Sequence, residues 1–415
     1  MGRVTAANVI YDDGTCMHFV DLEREKELSD IGRVEFLYAY DPYLLPPLEP
    51  TDDGMWRYRA LLPVENDIQY PLAVGGTPLF APPQLRAFLK TPELWLKDET
   101  RSPSGSNKDR ATALVLEYAL QHDVRVVSCA STGNAALSLS IGAAAIGMQA
   151  VIFVPADVSP AKLQLMLSTG AIVFKVQDGY AEAVRLSRQA ARAFNWHDRN
   201  TGYNPLTLEA KKTVALEIWE QSDYQVPDVI FVPVGDGVTL SGLAKGFREL
   251  IACGAVNRMP RIIGVQAESY QPLKKAWDAR TQIQMATTTP NASTIADGIA
   301  VTAPTNGAMT LRDVRESEGS FLTVSDAAIL QAISTLARKG GIMAEPAAAA
   351  AFAGIEVALT SGLINREEHI VALITGTGLK TPQYLQQGGA HHVYEIPADL
   401  RRVEQIITQQ LEALT

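Results

Sequence analysis

Lys108 follows a Ser/Pro/Gly turn in SPSGSNKDRA and opens a helix-length stretch, ATALVLEYAL. The positive end of a helix dipole disfavours an ammonium, which lowers the amine's pKa and suits it to act as a nucleophile. Taken alone, the KDR run is better read as a surface charge patch. Three more loops have the same strand, turn and helix grammar. In CASTGNAALS (Cys129–Ser138), Ser131, Thr132, Gly133 and Asn134 lead into a helix. Gly133 lets the backbone turn sharply, and the following N–H groups face an anion or a ring oxygen. In VPVGDGVTLSG (Val232–Gly242), Gly235 and Gly237 allow backbone N–H groups to form a nest for a phosphate. No GK[ST] follows, so it is not a Walker A loop, and its GxGxxxxG spacing is not the dinucleotide fingerprint. In LITGTGLKTP (Leu373–Pro382), Thr375 ends an apolar run and offers one hydroxyl to a bound heterocycle.

The elements that must position these loops are short β-branched runs alternating with Ala-rich segments. Val124–Cys129, Ala150–Val154, Ala171–Val176, Asp228–Val234, Arg261–Val265 and His369–Thr375 are expected as strands buried on both faces. Asn134–Ile146, Pro160–Ser168, Ala181–Phe194, Thr207–Glu220, Thr239–Ile251, Asp326–Arg338 and Ala347–Leu359 are expected as helices. Strand and helix in turn predict an α/β fold with open, mostly parallel sheets, and ligands beyond the carboxyl ends of the strands. All four loops are expected at the carboxyl ends of one sheet. Residues 1–70 lack this rhythm and are expected as an N-terminal extension packed on the main body. Asp399–Leu414 fits an amphipathic helix.

The chain has 415 residues, a net charge of −10 and no long basic run, which argues against nucleic acid or an anionic membrane surface as its partner. Its 47% hydrophobic and 20% charged residues exclude disorder as the main state. Three distant cysteines, Cys16, Cys129 and Cys253, form neither a disulfide framework nor a metal knuckle, so a reducing, cytoplasmic setting is expected. The histidines show no metal-ligand spacing, and none is assigned to a metal. His391 and His392 are expected in a surface turn.

From GGTPLF (Gly75–Phe80) to LITGTGLK (Leu373–Lys380), the motifs in this order resemble the fold-type II pyridoxal-phosphate enzymes, and within them the threonine synthases. The resemblance implies a fold like that of the tryptophan synthase β chain. It divides the chain into a large cofactor-binding domain (71–100 and 204–395), a small α/β domain (101–203) and a C-terminal helix (396–415). It makes Lys108 the lysine that binds the cofactor aldehyde and Asn134 the partner of the cofactor's 3′ oxygen. Gly235, Asp236, Gly237, Val238 and Thr239 would hold the phosphate, and Thr375 would meet the pyridine nitrogen. Ser131, Thr132, Gly133 and Asn134 would also bind the substrate carboxylate. A homodimer is implied as well.

Departures from the pattern carry information. Asn107 stands where an aromatic residue precedes the lysine, and Asp236, Val238 and Thr239 stand for Asn, Gly and Asn. A carboxylate at 236 is expected to point away from the phosphate. The segment TGYNPLTLEAKKT (Thr201–Thr213) looks like Asn-Pro-Tyr-Arg-Leu-Glu-Gly-Gln-Lys-Thr, whose arginine helps hold a substrate phosphate, but Thr207 takes that place. Lys211 or Lys212 could substitute for that arginine only if one reaches the same spot, and both are expected on a solvated helix face. The expected function is a lyase that labilises the Cα proton of an amino acid and eliminates or replaces a side-chain group, with an altered substrate. Threonine synthase proper, an ammonia-lyase or dehydratase, and a non-catalytic binding protein are the alternatives.

Overall fold

The computed structural model describes residues 4–20, 29–47, 54–65, 67–281, 292–385 and 393–412. Strands β1 (Val4–Ile10), β2 (Cys16–Phe19) and β3 (Arg33–Tyr38) form an antiparallel sheet in the order β2-β1-β3. The large sheet has six strands. They are β4 (Leu79–Phe80), β5 (Leu94–Asp98), β10 (Val229–Pro233), β11 (Arg261–Ala267), β12 (Ser320–Val324) and β13 (Ile370–Ile374), in the order β12-β11-β10-β13-β5-β4. All neighbours in it are parallel except β4 with β5. The small sheet is parallel, in the order β8-β7-β6-β9, built from β6 (Val126–Ala130), β7 (Gln149–Pro155), β8 (Ile172–Val176) and β9 (His197–Asp198).

Two apolar layers cover the large sheet. The Pro346–Ser361 helix packs its alanines with Phe231, Val265 and Leu96 in one core. Small residues matter there, because a Cβ at Gly354 would lie 2.6 Å from Val265 Cγ2. The Thr213–Gln221 and Val238–Ala252 helices fill a second core with Ile230, Val232 and Leu373. A third core joins the small sheet, the Lys108–Gln121 helix and the N-terminal sheet through Leu114, Val127, Val9 and Phe36. Polar contacts bind the N-terminal sheet as well. Glu209 accepts from Phe36 N–H at 3.1 Å and from Tyr38 Oη at 3.0 Å, and Lys245 Nζ donates to Phe36 O at 2.7 Å.

Some expectations change. The four loops do not share a sheet. Those carrying Lys108, Gly235 and Thr375 follow β5, β10 and β13 of the large sheet, but the Asn134 loop follows β6 of the small one. The chain leaves the large sheet along the Lys108–Gln121 helix and starts a second parallel sheet, so the two sheets' carboxyl ends meet. Strand β8 is not buried on both faces. It is an edge strand with Ile172 and Phe174 exposed, since only β7 pairs with it. The helix expected over Thr207–Glu220 occurs as Leu206–Lys211 and Thr213–Gln221, joined through Lys212 in helical geometry. His391 and His392 lie outside the described residues.

Candidate active site

Strand β13 lies between β5 and β10, so three loops emerge side by side, and Asn107 ties them together. Its backbone N–H donates to Thr375 O at 2.9 Å, and its Nδ2 donates to Thr239 Oγ1 at 3.3 Å. Thr377 N–H donates to Gly105 O at 2.8 Å, closing a short bridge between the Lys108 and Thr375 loops. Lys108 follows at the first position of its helix and is half-buried. Its pKa lies below that of an ordinary lysine, and burial is the first cause, with Asp236 acting against it and Arg199 with it. Desolvation lowers the pKa in the same direction as the helix dipole that the sequence suggested.

The phosphate loop has the geometry of a cradle. Gly237 has φ +96°, and a Cβ there would lie 1.9 Å from Thr310 Oγ1. Behind it, Asn306 N–H donates to Asp236 O at 3.2 Å, and Asn306 Nδ2 donates to Ser241 Oγ at 2.8 Å. The Asp236 side chain does not point away from the loop. Its Oδ1 accepts Val238 N–H at 3.2 Å, because a carboxylate is stabilised on the free donors of a helix N-terminus.

Asn134, at the start of its helix, is already engaged. Its Nδ2 donates to Glu345 Oε1 at 2.7 Å, and its Oδ1 accepts from Lys380 Nζ. Lys380 also donates to the carbonyls of Ser104 and Gly105, at 3.2 and 3.3 Å. Glu345 is half-buried, and desolvation pushes its carboxyl above the usual range. Its side chain takes the space beside Gly376, where a Cβ would lie 2.3 Å from Oε1. Ser131 Oγ accepts Gly133 N–H at 3.2 Å, so one donor of that loop is used internally. Gly133 itself has φ −124°, so the turn does not require the left-handed region. Thr132 lies between them, half-buried.

Thr207 is buried and spends its hydroxyl on Asn204 O at 2.8 Å. Lys211 and Lys212 are not on a solvated face, being 1% and 0% exposed. Lys212 Nζ is held by Glu209 at 2.6 Å and Glu249 at 2.9 Å, whereas Lys211 Nζ has no hydrogen-bond partner. Burial drives the Lys211 pKa well below the ordinary lysine value, and the neighbouring charge of Lys108 adds to that.

Glu345, Lys380 and Arg199 escaped the sequence reading as site residues, and Lys211 entered it only as a conditional substitute for the missing arginine. Lys380 belonged to a quoted motif, GTGLK, and Glu345 precedes a proline at a helix start, a weak signal. Nothing in the sequence marks Arg199. Its buried guanidinium donates to Thr201 Oγ1 at 2.6 Å, and to Lys108 O and Thr112 Oγ1 at 3.4 Å each.

The arrangement fits pyridoxal phosphate. A half-buried amine of lowered pKa suits an aldehyde, the Gly237 cradle suits a phosphate, and Thr375, at the end of buried β13, stands beside the amine's own loop. Residues 70–376 match the family described as pyridoxal-phosphate dependent enzyme. The chain is 34% identical over 384 residues to a threonine synthase from Methanocaldococcus jannaschii, covering 91% of this chain and 94% of that protein. It is 35% identical over 357 residues to a threonine synthase from Methanosarcina acetivorans, covering 85% and 87%. Among solved structures, a diaminopropionate ammonia lyase from Escherichia coli has a similar fold, with a TM-score of 0.65 at 16% identity over 75% of this chain and 88% of that one.

Proposed function

The chain belongs to the pyridoxal-phosphate dependent enzymes, and from that premise we propose that it converts O-phosphohomoserine to threonine and phosphate with Lys108 as the cofactor-binding lysine. It is a lyase of fold type II, and its cofactor is pyridoxal phosphate. When bound, that cofactor withdraws electrons from the substrate and makes its Cα proton acidic. The observation that carries the choice of substrate is the charge balance at the site. Lys108, Lys211 and Arg199 act on one another and on Asp236, and among the described residues no ion pair joins Lys211 or Arg199 to a carboxylate. A phosphate monoester, carrying about −1.5 to −2 charges at neutral pH, suits such a cleft. Thr207 alone does not provide for one.

In this reading the chain's residues act as follows. Lys108, its amine freed, takes the proton from Cα, and its low pKa leaves a fraction unprotonated to do so. The loop Gly235–Thr239 holds the cofactor phosphate, and Thr375 donates or accepts one hydrogen bond at the ring nitrogen. Asn134 exchanges Glu345 for the 3′ oxygen, while Ser131, Thr132 and Gly133 orient the substrate carboxylate. Across the whole reaction the Cγ–O bond breaks with its electron pair on the departing phosphate. One proton moves from Cβ to Cγ, and water supplies the hydroxyl at Cβ.

We read the enzyme as a cytoplasmic homodimer. The three free cysteines, Cys16, Cys129 and Cys253, support a reducing compartment, and the dimer rests on the family resemblance. Among the described residues no helix is long and apolar enough to cross a membrane. Incubating the cofactor-loaded protein with O-phosphohomoserine tests the substrate. Threonine and phosphate in equal amounts are expected. A keto acid and ammonia, or no turnover, would overturn the assignment.

A further inference from the structure

Two adjacent lysines on one buried segment have opposite fates. Lys212 meets two carboxylates, whereas Lys211, equally buried, meets none. Burying an amine without a partner is costly, and buried polar atoms left unpaired inside a protein commonly have their partner outside it. The amine is also not packed away from the chemistry. The charges acting on Lys211 are those of Lys108, Asp236 and Arg199, the three that surround the proposed reacting centre. Its Cβ sits against Gly242 on the helix whose first turn forms the phosphate cradle.

We propose that Lys211 is a specificity-determining residue whose amine receives the phosphate monoester of the substrate, one helical turn along from position 207. Residues four apart lie on one face of a helix, so a cation lost at Thr207 is recovered at Lys211 without moving the helix. A phosphate in this cleft has two sources, the cofactor and the substrate. The cofactor's phosphate has its own donors in the loop Gly235–Thr239 at the N-terminus of the Val238–Ala252 helix. Lys211 stands on a different wall, the Leu206–Lys211 helix, which leaves it for the second phosphate. Arg199 is its companion, a buried guanidinium whose hydrogen bonds go to hydroxyls and a carbonyl rather than to a carboxylate.

The inference rests on the substrate reading above, and its test separates the two. The variants are Lys211→Gln, the residue the similar threonine synthase segment carries there, and Lys211→Met, which keeps the aliphatic stem. Both should fold with melting temperatures no lower than wild type, because they remove an unpartnered buried amine. Inorganic phosphate is titrated by calorimetry into the cofactor-loaded enzyme, in two buffers of different ionisation enthalpy, and pyridoxal phosphate is titrated separately into the cofactor-free protein. Wild type is expected to bind phosphate with uptake of up to about one proton, as the amine becomes an ammonium beside the dianion. The variants should bind phosphate roughly ten- to a hundredfold more weakly, without that proton, and the KM for O-phosphohomoserine should rise with it. Cofactor affinity should stay within about twofold of wild type on the same scale. Unchanged phosphate binding in both variants would overturn the proposal. So would a loss of cofactor affinity with phosphate binding intact, which would give the amine to the cofactor. If phosphate binding depends on Lys211 but O-phosphohomoserine is not turned over, the anion site stands and the substrate reading fails.

Discussion

Asn107 Nδ2 donates to Thr239 Oγ1 at 3.3 Å across the cleft, while the Asn107 backbone N–H holds Thr375 O at 2.9 Å. One residue thereby sets the distance between Lys108, the Gly235–Thr239 loop and the end of β13. Asn107→Ala removes only the side-chain link. The expected loss is about 0.5–1.5 kcal/mol in cofactor binding, a few-fold in affinity, with the fold intact. Titration of cofactor-free protein by absorbance checks it, and equal affinities would show that backbone contacts alone align the loops.

Lys108 and Lys211 both have lowered pKa values, so covalent chemistry is needed to tell them apart. Borohydride reduction of the cofactor-loaded protein should fix the cofactor on the peptide carrying Lys108, and Lys108→Ala should abolish the label. Mass spectrometry that finds the adduct on Lys211 would exchange the two roles.

Gly237 has φ +96° and room for no side chain, with Thr310 Oγ1 1.9 Å from where a Cβ would stand. Gly237→Ala combines left-handed strain of about 1–2 kcal/mol with that overlap, so the cradle must open. Cofactor retention through gel filtration should fall sharply, whereas Gly254→Ala, at a left-handed turn with open space around it, should keep its cofactor.

Two residues beyond Lys108, Arg110 bridges Glu99 and Glu217, donating to Glu217 at 2.6 and 2.7 Å, and Lys97 adds a third contact at 2.6 Å. Burial alone would raise the Glu217 pKa, yet Arg110 and Lys97 hold it down at about 2 against an ordinary 4.5. A carboxylate with a depressed folded pKa contributes stability above its unfolded pKa and loses it as pH falls through the folded value. The contribution should therefore be complete above pH 4.5 and drain away toward pH 2. Glu217→Gln should cost about 3–5 kcal/mol at neutral pH by leaving buried cations unpaired, and flatten the acid limb of the stability curve. Urea unfolding at several pH values measures both. An acid limb as steep as wild type's would assign it to other carboxylates.

The sequence by itself determined the alternation of strands and helices, the loops bearing Lys108, Asn134, Gly235 and Thr375, and hence the cofactor class. Those signals are local. A continuous apolar run such as Ile370–Ile374 must be covered on both faces, and a glycine such as Gly237 announces a backbone conformation few other residues adopt. Tertiary structure alone decided which sheet each loop ends, because strand order follows from long-range pairing such as Ile370 with Leu94. It also decided the charges. Lys211 and Lys212 are adjacent and chemically identical in the chain. Which one meets Glu209 and Glu249, and which is left with its amine unpaired beside Lys108, depends on how the Val238–Ala252 helix packs across them. Asn134, Glu345 and Lys380 are likewise far apart in sequence and share one hydrogen-bonded cluster. Burial and long-range Coulomb partners set pKa values, and neither is a property of a residue's sequence neighbours.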